Sequence, residues 1–174
     1  MDFYEVLQTR RSIRSYKPDF IPEDVLNRVM EAARIAPSGN NRQPWKFVIV
    51  KDEKLRNELV PLCFDQTFMA QAPITIVATG ADVKYNRGNY MGALSMLVDV
   101  TIALDHITLA ARAEGLGTCW IGSYDNEKVK RLLDIPVEIQ VVGLTPLGYP
   151  TDPHFAGVGR RRPLKEIICF DKWH

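Results

Sequence analysis

Arginine, hydroxyl and carboxamide side chains gather at three places in this chain, and together they suit one kind of ligand. Arg10, Arg11, Ser12 and Arg14 lie in the run RRSIR near the N-terminus, and Arg160, Arg161 and Arg162 form a second knot near the C-terminus. Between them runs Pro37-Ser38-Gly39-Asn40-Asn41-Arg42-Gln43-Pro44, a polar turn dense in donors. The net charge is only +1, so no global excess of cation accounts for the knots. Guanidinium forks match phosphate oxygens, and carboxamides and hydroxyls match the edge of a heteroaromatic ring. A ligand with a phosphate at one end and a hydrogen-bonding ring at the other satisfies both. That describes a nucleotide-like cofactor, and flavin mononucleotide (FMN) fits the donor set best.

Each group also has a plainer use. Arginine at a helix C-terminus complements the helix dipole, which alone would explain Arg10 and Arg11. The turn 37–44 could simply connect a helix to a strand. Such a connection rarely needs this many donors, and Gly39 by itself would end the helix. The plainer reading weakens once the turn and the arginines are considered together.

Protein groups able to do chemistry unaided are sparse. The histidines are His106, His154 and His174, none at ligand spacing from another histidine or from a cysteine, so no metal site is expected. Cys63, Cys119 and Cys169 contain no Cys-x-x-Cys pair and read as reduced thiols, Cys119 as a small buried hydrophobe. No Gly-x-Gly-x-x-Gly follows a strand and there is no Walker loop. His106, inside an apolar helix, reads as hydrogen-bonded structure. A bound cofactor that brings its own reactivity explains this poverty, so no side chain is assigned a catalytic role.

The elements that must position these groups follow from periodicity and breakers. With 174 residues, 46% apolar and 25% charged, the chain is expected to form a single domain over 1–174. The N-terminus lacks a signal-peptide core and no stretch is expected to span a bilayer, which suggests a soluble cytoplasmic protein with no membrane partner. Balanced charge argues against nucleic acid. Phe3, Val6 and Leu7 predict a short helix ending at the first arginines. A second helix is expected from Pro22 to about Ala36, and strands at 45–50, 73–78, 118–122 and 137–145. Helices are also expected at 54–62, at 97–114 and after Asp125. The helix 97–114 is apolar on most sides, so it must be buried all round in its own core or against another subunit. Residues 80–95 read as a loop, a lid or partner surface, and Leu164 to Phe170 as an apolar tail able to embrace a second chain. The interleaving predicts an α+β fold, a central mixed sheet flanked by helices.

RRSIR, APSGNNRQPWKFVIV, GLGTCWIG, LGYP and RRRPLKEI occur in this order over nearly the whole chain. In this arrangement the sequence resembles the FMN-dependent nitroreductase family in its short, minimal form. The resemblance implies an intertwined homodimer with FMN at the subunit interface, taking hydride from NADH or NADPH. It implies delivery to a small-molecule acceptor, a nitro compound, quinone or relative, in a ping-pong cycle. Carried onto this chain, it places Arg10, Arg11 and Ser12 at the phosphate and ribityl chain, and Arg14 at the pyrimidine edge near N1 and O2. Pro37, Ser38, Gly39, Asn41 and Gln43 would come from the other subunit. Trp120, Ile121 and Gly122 would flank the ring, with a backbone N–H near Gly122 directed at N5. Two of Arg160, Arg161 and Arg162 would reach the phosphate, and Gln66 is a weaker candidate for the flavin edge. No Glu-Tyr-Lys lid of the deiodinase type is found in 80–95. A flavin protein with a dedicated biosynthetic or dehalogenating role is the alternative, with an anion- or nucleic-acid-binding module behind it.

Overall fold

Local chemistry starts most of the helices. The structure, a computed structural model, describes residues 1–81, 89–152 and 159–173. Helix α1 (Phe3–Thr9) is capped by Asp2, whose carboxylate accepts from the N–H groups of Tyr4 and Glu5 at 2.8 and 3.1 Å. Helix α2 (Glu23–Arg34) begins one residue after the expected Pro22, which flanks it in an extended conformation. Strand β1 (Trp45–Val50) then leads to helix α3 (Glu53–Leu62), capped by Asp52. Strand β2 (Ile74–Ala81) and helix α4 (Asn89–Ala113) follow. After them come strand β3 (Gly117–Thr118), helix α5 (Asn126–Leu132), capped by Asp125 as expected, and strand β4 (Ile139–Gly148).

β2 lies inside the sheet, whose order is β1-β2-β4-β3. It pairs antiparallel with β1, from Trp45 opposite Gly80 to Val50 opposite Thr75, and antiparallel with β4, with a register shift between Ala78 and Thr79. β3 pairs antiparallel with β4 through Gly117–Gly148 and Thr118–Leu147. All three strand pairings are antiparallel, and the one parallel bridge among the described residues, between Ser12 and Thr118, lies outside these strand pairings.

Ile74 through Gly80 are all buried because helices cover both faces of β2. Ile74, Ile76 and Ala78 pack with α2 and α4 around Val29, Leu104 and Ile107. Val77 faces the opposite core with Leu59, Cys63, Val129 and Leu144 from α3, α5 and β4. The alternation of a strand thus feeds two cores from one segment.

Three expectations change in extent. The segment 80–95 is not a loop throughout: β2 runs to Ala81 and α4 already begins at Asn89. The sequence also offers Asp82, Lys84, Tyr85, Arg87 and Tyr90 as residues to shape an acceptor pocket; the first four lie outside the described residues. The strand expected over 118–122 is only two residues long, with Ile121 held by a separate bridge to Leu144. The strand expected to end at Thr145 continues through Pro146 to Gly148. Of the two glycines expected to stop the long helix, Gly115 takes the left-handed conformation, φ 77°. Gly117 instead permits close approach, since a Cβ there would lie 2.6 Å from Ile13 Cγ1.

By length and composition, Leu94–Ala113 is apolar enough to cross a membrane, which the sequence reading did not anticipate. In the fold it is the central core helix: Val100, Ala103, Leu104, Ile107 and Ala111 are buried against the sheet and α2. Its one deeply buried acid, Asp99, is 2% exposed and anchors the polar turn, both carboxylate oxygens accepting from the Gly39 N–H at 3.2 and 3.1 Å.

That contact generates a test. Asp99→Ala leaves the buried Gly39 N–H without its acceptor and is expected to cost about 1–3 kcal/mol, with Asp99→Asn recovering part of it. Thermal midpoints of the two variants check this, and an unchanged midpoint in Asp99→Ala would show that the contact contributes nothing. A second test concerns Cys63, fully buried, whose thiol burial pushes up from 9.0 to about 11. A raised folded-state value means that the folded chain holds this proton more tightly than the unfolded chain. Its contribution is therefore complete below pH 9 and is lost as the pH rises through 11. The alkaline loss of stability should be shallower in Cys63→Ala than in the parent, read from denaturant midpoints across that window.

Candidate functional site

The first arginine knot begins where α1 ends. Arg10 is the helix-terminal residue, its own N–H donating to the Val6 carbonyl at 2.8 Å, and its backbone is extended. From there to Lys17 the chain has almost no regular pairing of its own, yet it is tied down repeatedly. The Ile13 N–H donates to the Thr118 carbonyl at 2.8 Å, and the Lys17 N–H to the Tyr149 carbonyl at 2.8 Å. The Thr151 N–H donates to the Ser15 carbonyl at 3.2 Å, and the Tyr16 N–H to Gln71 Oε1 at 3.1 Å. The buried Tyr16 hydroxyl donates to the Ile13 carbonyl at 2.7 Å; burial holds its pKa well above the ordinary value, so it remains a neutral donor.

This pinning leaves Arg11, Ser12, Arg14 and Ser15 facing out. With Ile13, Pro150, Thr151 and Asp152 they line a cleft of about 340 Å³. Arg10 is half-buried one step back, at the helix end. Cys119 lies beside the segment, 2% exposed. Burial pushes its thiol up, while the charge of Arg14 and a hydrogen bond with Ser12 pull weakly the other way. A thiol so placed stays protonated at neutral pH, consistent with its reading as a small buried hydrophobe.

The polar turn is built from unusual backbone. Asn40, Asn41 and Gln43 take φ of 51°, 55° and 50°, three left-handed non-glycine residues in four positions. Asparagine tolerates this region better than most residues, and such concentrated strain is typical of ligand sites. The turn's own N–H groups are used internally: Asn41 to the Ser38 carbonyl, Arg42 to the Gly39 carbonyl, Gln43 to Ser38 Oγ. Gly39 is buried with its N–H on Asp99, and Pro37 is exposed. What remains for a ligand is side-chain chemistry. The Ser38 hydroxyl keeps its proton to donate, the Asn41 amide is exposed, and Gln43 keeps its amide oxygen while its Nε2 donates to the Asn41 carbonyl.

Within 120–122 the residues divide. Trp120 is 39% exposed, and its indole lies across Gly143, where an added Cβ would sit 3.2 Å from Nε1. Ile121 turns inward: its side chain is in the second core and its N–H and carbonyl both pair with Leu144, at 2.8 and 3.1 Å. Gly122 is exposed, and a Cβ there would touch only the Trp120 ring edge, near 3.8 Å. Gln66 donates through Nε2 to the Cys63 carbonyl at 3.0 Å, so its amide nitrogen is used locally.

Arg160, Arg161 and Arg162 are exposed on a C-terminal arm, with Arg161 donating to the carbonyls of Gly159 and Arg160. Residues 153–158, which join this arm to the cleft, lie outside the described residues. The arm carries Leu164, Ile167, Phe170 and Trp173 at 67%, 57%, 78% and 94% exposure, the reverse of what apolar side chains do in a completed surface. Reading residues alone missed Tyr16, Gln71 and Asp99. Asp99 did signal itself, with Asp105 and His106, as a polar interruption of a largely apolar helix. Among the described residues no cluster of His, Cys, Asp and Glu could hold a metal ion.

The sequence and the fold are shared with known proteins. Residues 7–68 and 63–149 match the model of the Nitroreductase family. A crystal structure of a nitroreductase family protein from Clostridium novyi superposes with a TM-score of 0.79 at 36% identity, covering 87% of each chain. An Archaeoglobus fulgidus protein with the provisional name NADH dehydrogenase/NAD(P)H nitroreductase is 35% identical over 153 residues, 85% of each chain. A Thermotoga neapolitana protein named iodotyrosine deiodinase is 27% identical over 191 aligned positions, 95% of each chain. A family match that spans both the arginine run and the donor turn, on the same α+β frame, makes this chain an oxidoreductase of the nitroreductase family.

Proposed function

We propose that the protein is a homodimeric FMN oxidoreductase, one FMN-binding domain over residues 1–174, that uses NADH or NADPH to reduce a small nitro, quinone or related acceptor. The observation that carries this reading is the cleft in which Arg11, Ser12 and Arg14 face out of one pinned, extended segment. The donor set fits the group: guanidinium and hydroxyl for a phosphate and ribityl chain, and a further guanidinium for a ring edge. The exposed backbone at Gly122, with room where a side chain would stand, suits close approach of a planar ring.

When bound, FMN supplies hydride acceptance at N5 and onward transfer of electrons to the acceptor. The chain's own residues bind and polarise. Arg10, Arg11 and Ser12, with members of the Arg160–Arg162 knot, would hold the phosphate end. Arg14 would fix positive charge at the pyrimidine edge, where a preoriented cation favours the reduced form. Pro37, Ser38, Gly39, Asn41 and Gln43 would approach from the second subunit, offering the Ser38 hydroxyl, the Asn41 carboxamide and the Gln43 amide oxygen. Trp120 and Gly122 would flank the ring, Ile121 acting as the buried anchor between them. No side chain is assigned to deliver a proton.

Two features support a dimer. The arm from 159 to 173 is exposed throughout, and Phe3, Tyr4 and Leu97 are also open at 64%, 71% and 45%. A second copy is the partner that these apolar groups fit, and a cytoplasmic setting accords with the buried, unpaired thiols of Cys63 and Cys119. The deiodinase relative makes dehalogenation the second reading.

The purified protein is expected to show flavin absorption bands that bleach anaerobically when NADH or NADPH is added. A colourless protein that stays colourless after soaking in FMN would overturn the cofactor and bring forward an anion-binding role. Sedimentation at micromolar concentration is expected to give a dimer, and a chain truncated after Arg162, which keeps the arginines but loses the apolar arm, is expected to shift toward monomer. A monomeric full-length chain would sink the interface reading.

A further inference from the structure

Arg14 is held in an unusual way for a cation in a cleft. Among the described residues no carboxylate forms an ion pair with it. Its guanidinium carbon instead lies over the ring of Phe68, 5.9 Å from the centroid, within the range of about 6 Å for a cation–π contact. Phe68 is half-buried against the second core, so the ring has a firm seat. It belongs to the 3-10 turn Thr67–Gln71, and the last residue of that turn accepts the Tyr16 N–H at 3.1 Å. One short turn therefore grips the arginine segment at two points, by a ring under Arg14 and by an amide oxygen three residues later.

The difference from an ion pair matters. A carboxylate would fix the guanidinium by neutralising it and occupying its N–H donors. An aromatic face fixes the cation through its quadrupole and leaves both the charge and the in-plane donors available to a ligand. We infer that Phe68 is a positioning residue for Arg14, setting how much positive charge reaches the ligand's ring edge; this rests on the FMN reading above. Its influence falls on the stability of the reduced cofactor more than on cofactor affinity, because the phosphate is assigned to other residues.

The test compares Phe68→Leu, Phe68→Tyr and Arg14→Ala with the parent. Its readouts are the FMN dissociation constant, the midpoint potential of the bound flavin, and, without any flavin, the NMR shift of the Arg14 Nε–H proton. Losing a cation–π contact worth about 0.5–1 kcal/mol corresponds to a roughly two- to fivefold change in the equilibrium it biases. Phe68→Leu is expected to retain FMN affinity within about twofold, to move the potential negative, and to abolish a ring-current shift on Arg14 Nε–H. Phe68→Tyr should keep the potential and the ring-current shift of the parent, and Phe68→Leu should add nothing once Arg14 is alanine. If Arg14→Ala moves the potential and Phe68→Leu does not, the positioning role of Phe68 is wrong while the FMN reading stands. If the ring-current shift is absent from the parent, the contact itself is wrong. If Arg14→Ala changes neither affinity nor potential, the placement of Arg14 at the cofactor fails, and this inference fails with it.

Discussion

The bond from the Ile13 N–H to the Thr118 carbonyl is the tie on which the site depends. At 2.8 Å, with the parallel bridge between Ser12 and Thr118 beside it, it attaches an otherwise irregular segment to β3 at the edge of the sheet. Extended backbone throws successive side chains to opposite sides. Fixing Ile13 against Gly117 therefore sets Ser12 and Arg14 on one and the same side. The absence of a Cβ at Gly117 is what lets Ile13 approach so closely. The hydroxyl of Tyr16 then ties the segment back on itself, and Gln71, Tyr149 and Thr151 secure its far end. Preorganisation of this kind places cations without asking a ligand to order them, a saving of about 0.5–1.5 kcal/mol for each long side chain.

The donor turn is held by a different device. A helix that must be apolar to serve two neighbours, α2 and the sheet, carries one buried acid, Asp99, which accepts from a backbone N–H of the turn. The acid is buried and hydrogen-bonded, which a polar group inside a core requires. With that anchor, and with the internal bonds of Asn41, Arg42 and Gln43, the turn can hold three left-handed residues. The strain is thus set against contacts on the turn's inner side, while its outer side keeps the amides and the hydroxyl.

Much of this architecture was legible in the sequence where local rules act alone. Strand β1 lies where the run from Trp45 to Val50 predicted it, and Asp125 caps α5. The left-handed stop falls at Gly115, as a helix end followed by glycine suggests. The misjudged extents share a cause: pairing partners distant in sequence. β4 extends through Pro146 because Ile74 and Thr75 of β2 and the short β3 pair with its far end. Thr118 to Gly122 looks like a continuous strand, yet only two residues find a partner before the chain turns Ile121 across to Leu144. In the site, residue types identified the donors, since arginine and asparagine announce their chemistry. The supports escaped notice because Tyr16, Phe68 and Gln71 act through contacts across more than fifty residues of sequence, which no local pattern encodes.

The exposed apolar surface follows from the same economy of covering. Helix α4 has to bury Val100, Leu104 and Ile107 on one side, yet it carries Leu97 on another, 45% open, where a helix facing water would carry charge. The arm repeats the pattern more strongly: Leu164, Ile167, Phe170 and Trp173 contribute nothing to either core of their own chain. Apolar area left in water costs on the order of 25 cal/mol per Å², so side chains this open are a poor investment for a solitary chain. In the dimer proposed above, their burial would accompany the approach of the donor turn of one copy to the arginine segment of the other. Folding of the arm, association and cofactor binding would then be linked equilibria, each tightening the others by mass action. On that reading a single chain would hold every donor, and association would be what turns the donor turn of one copy and the arginine segment of the other toward the same ligand.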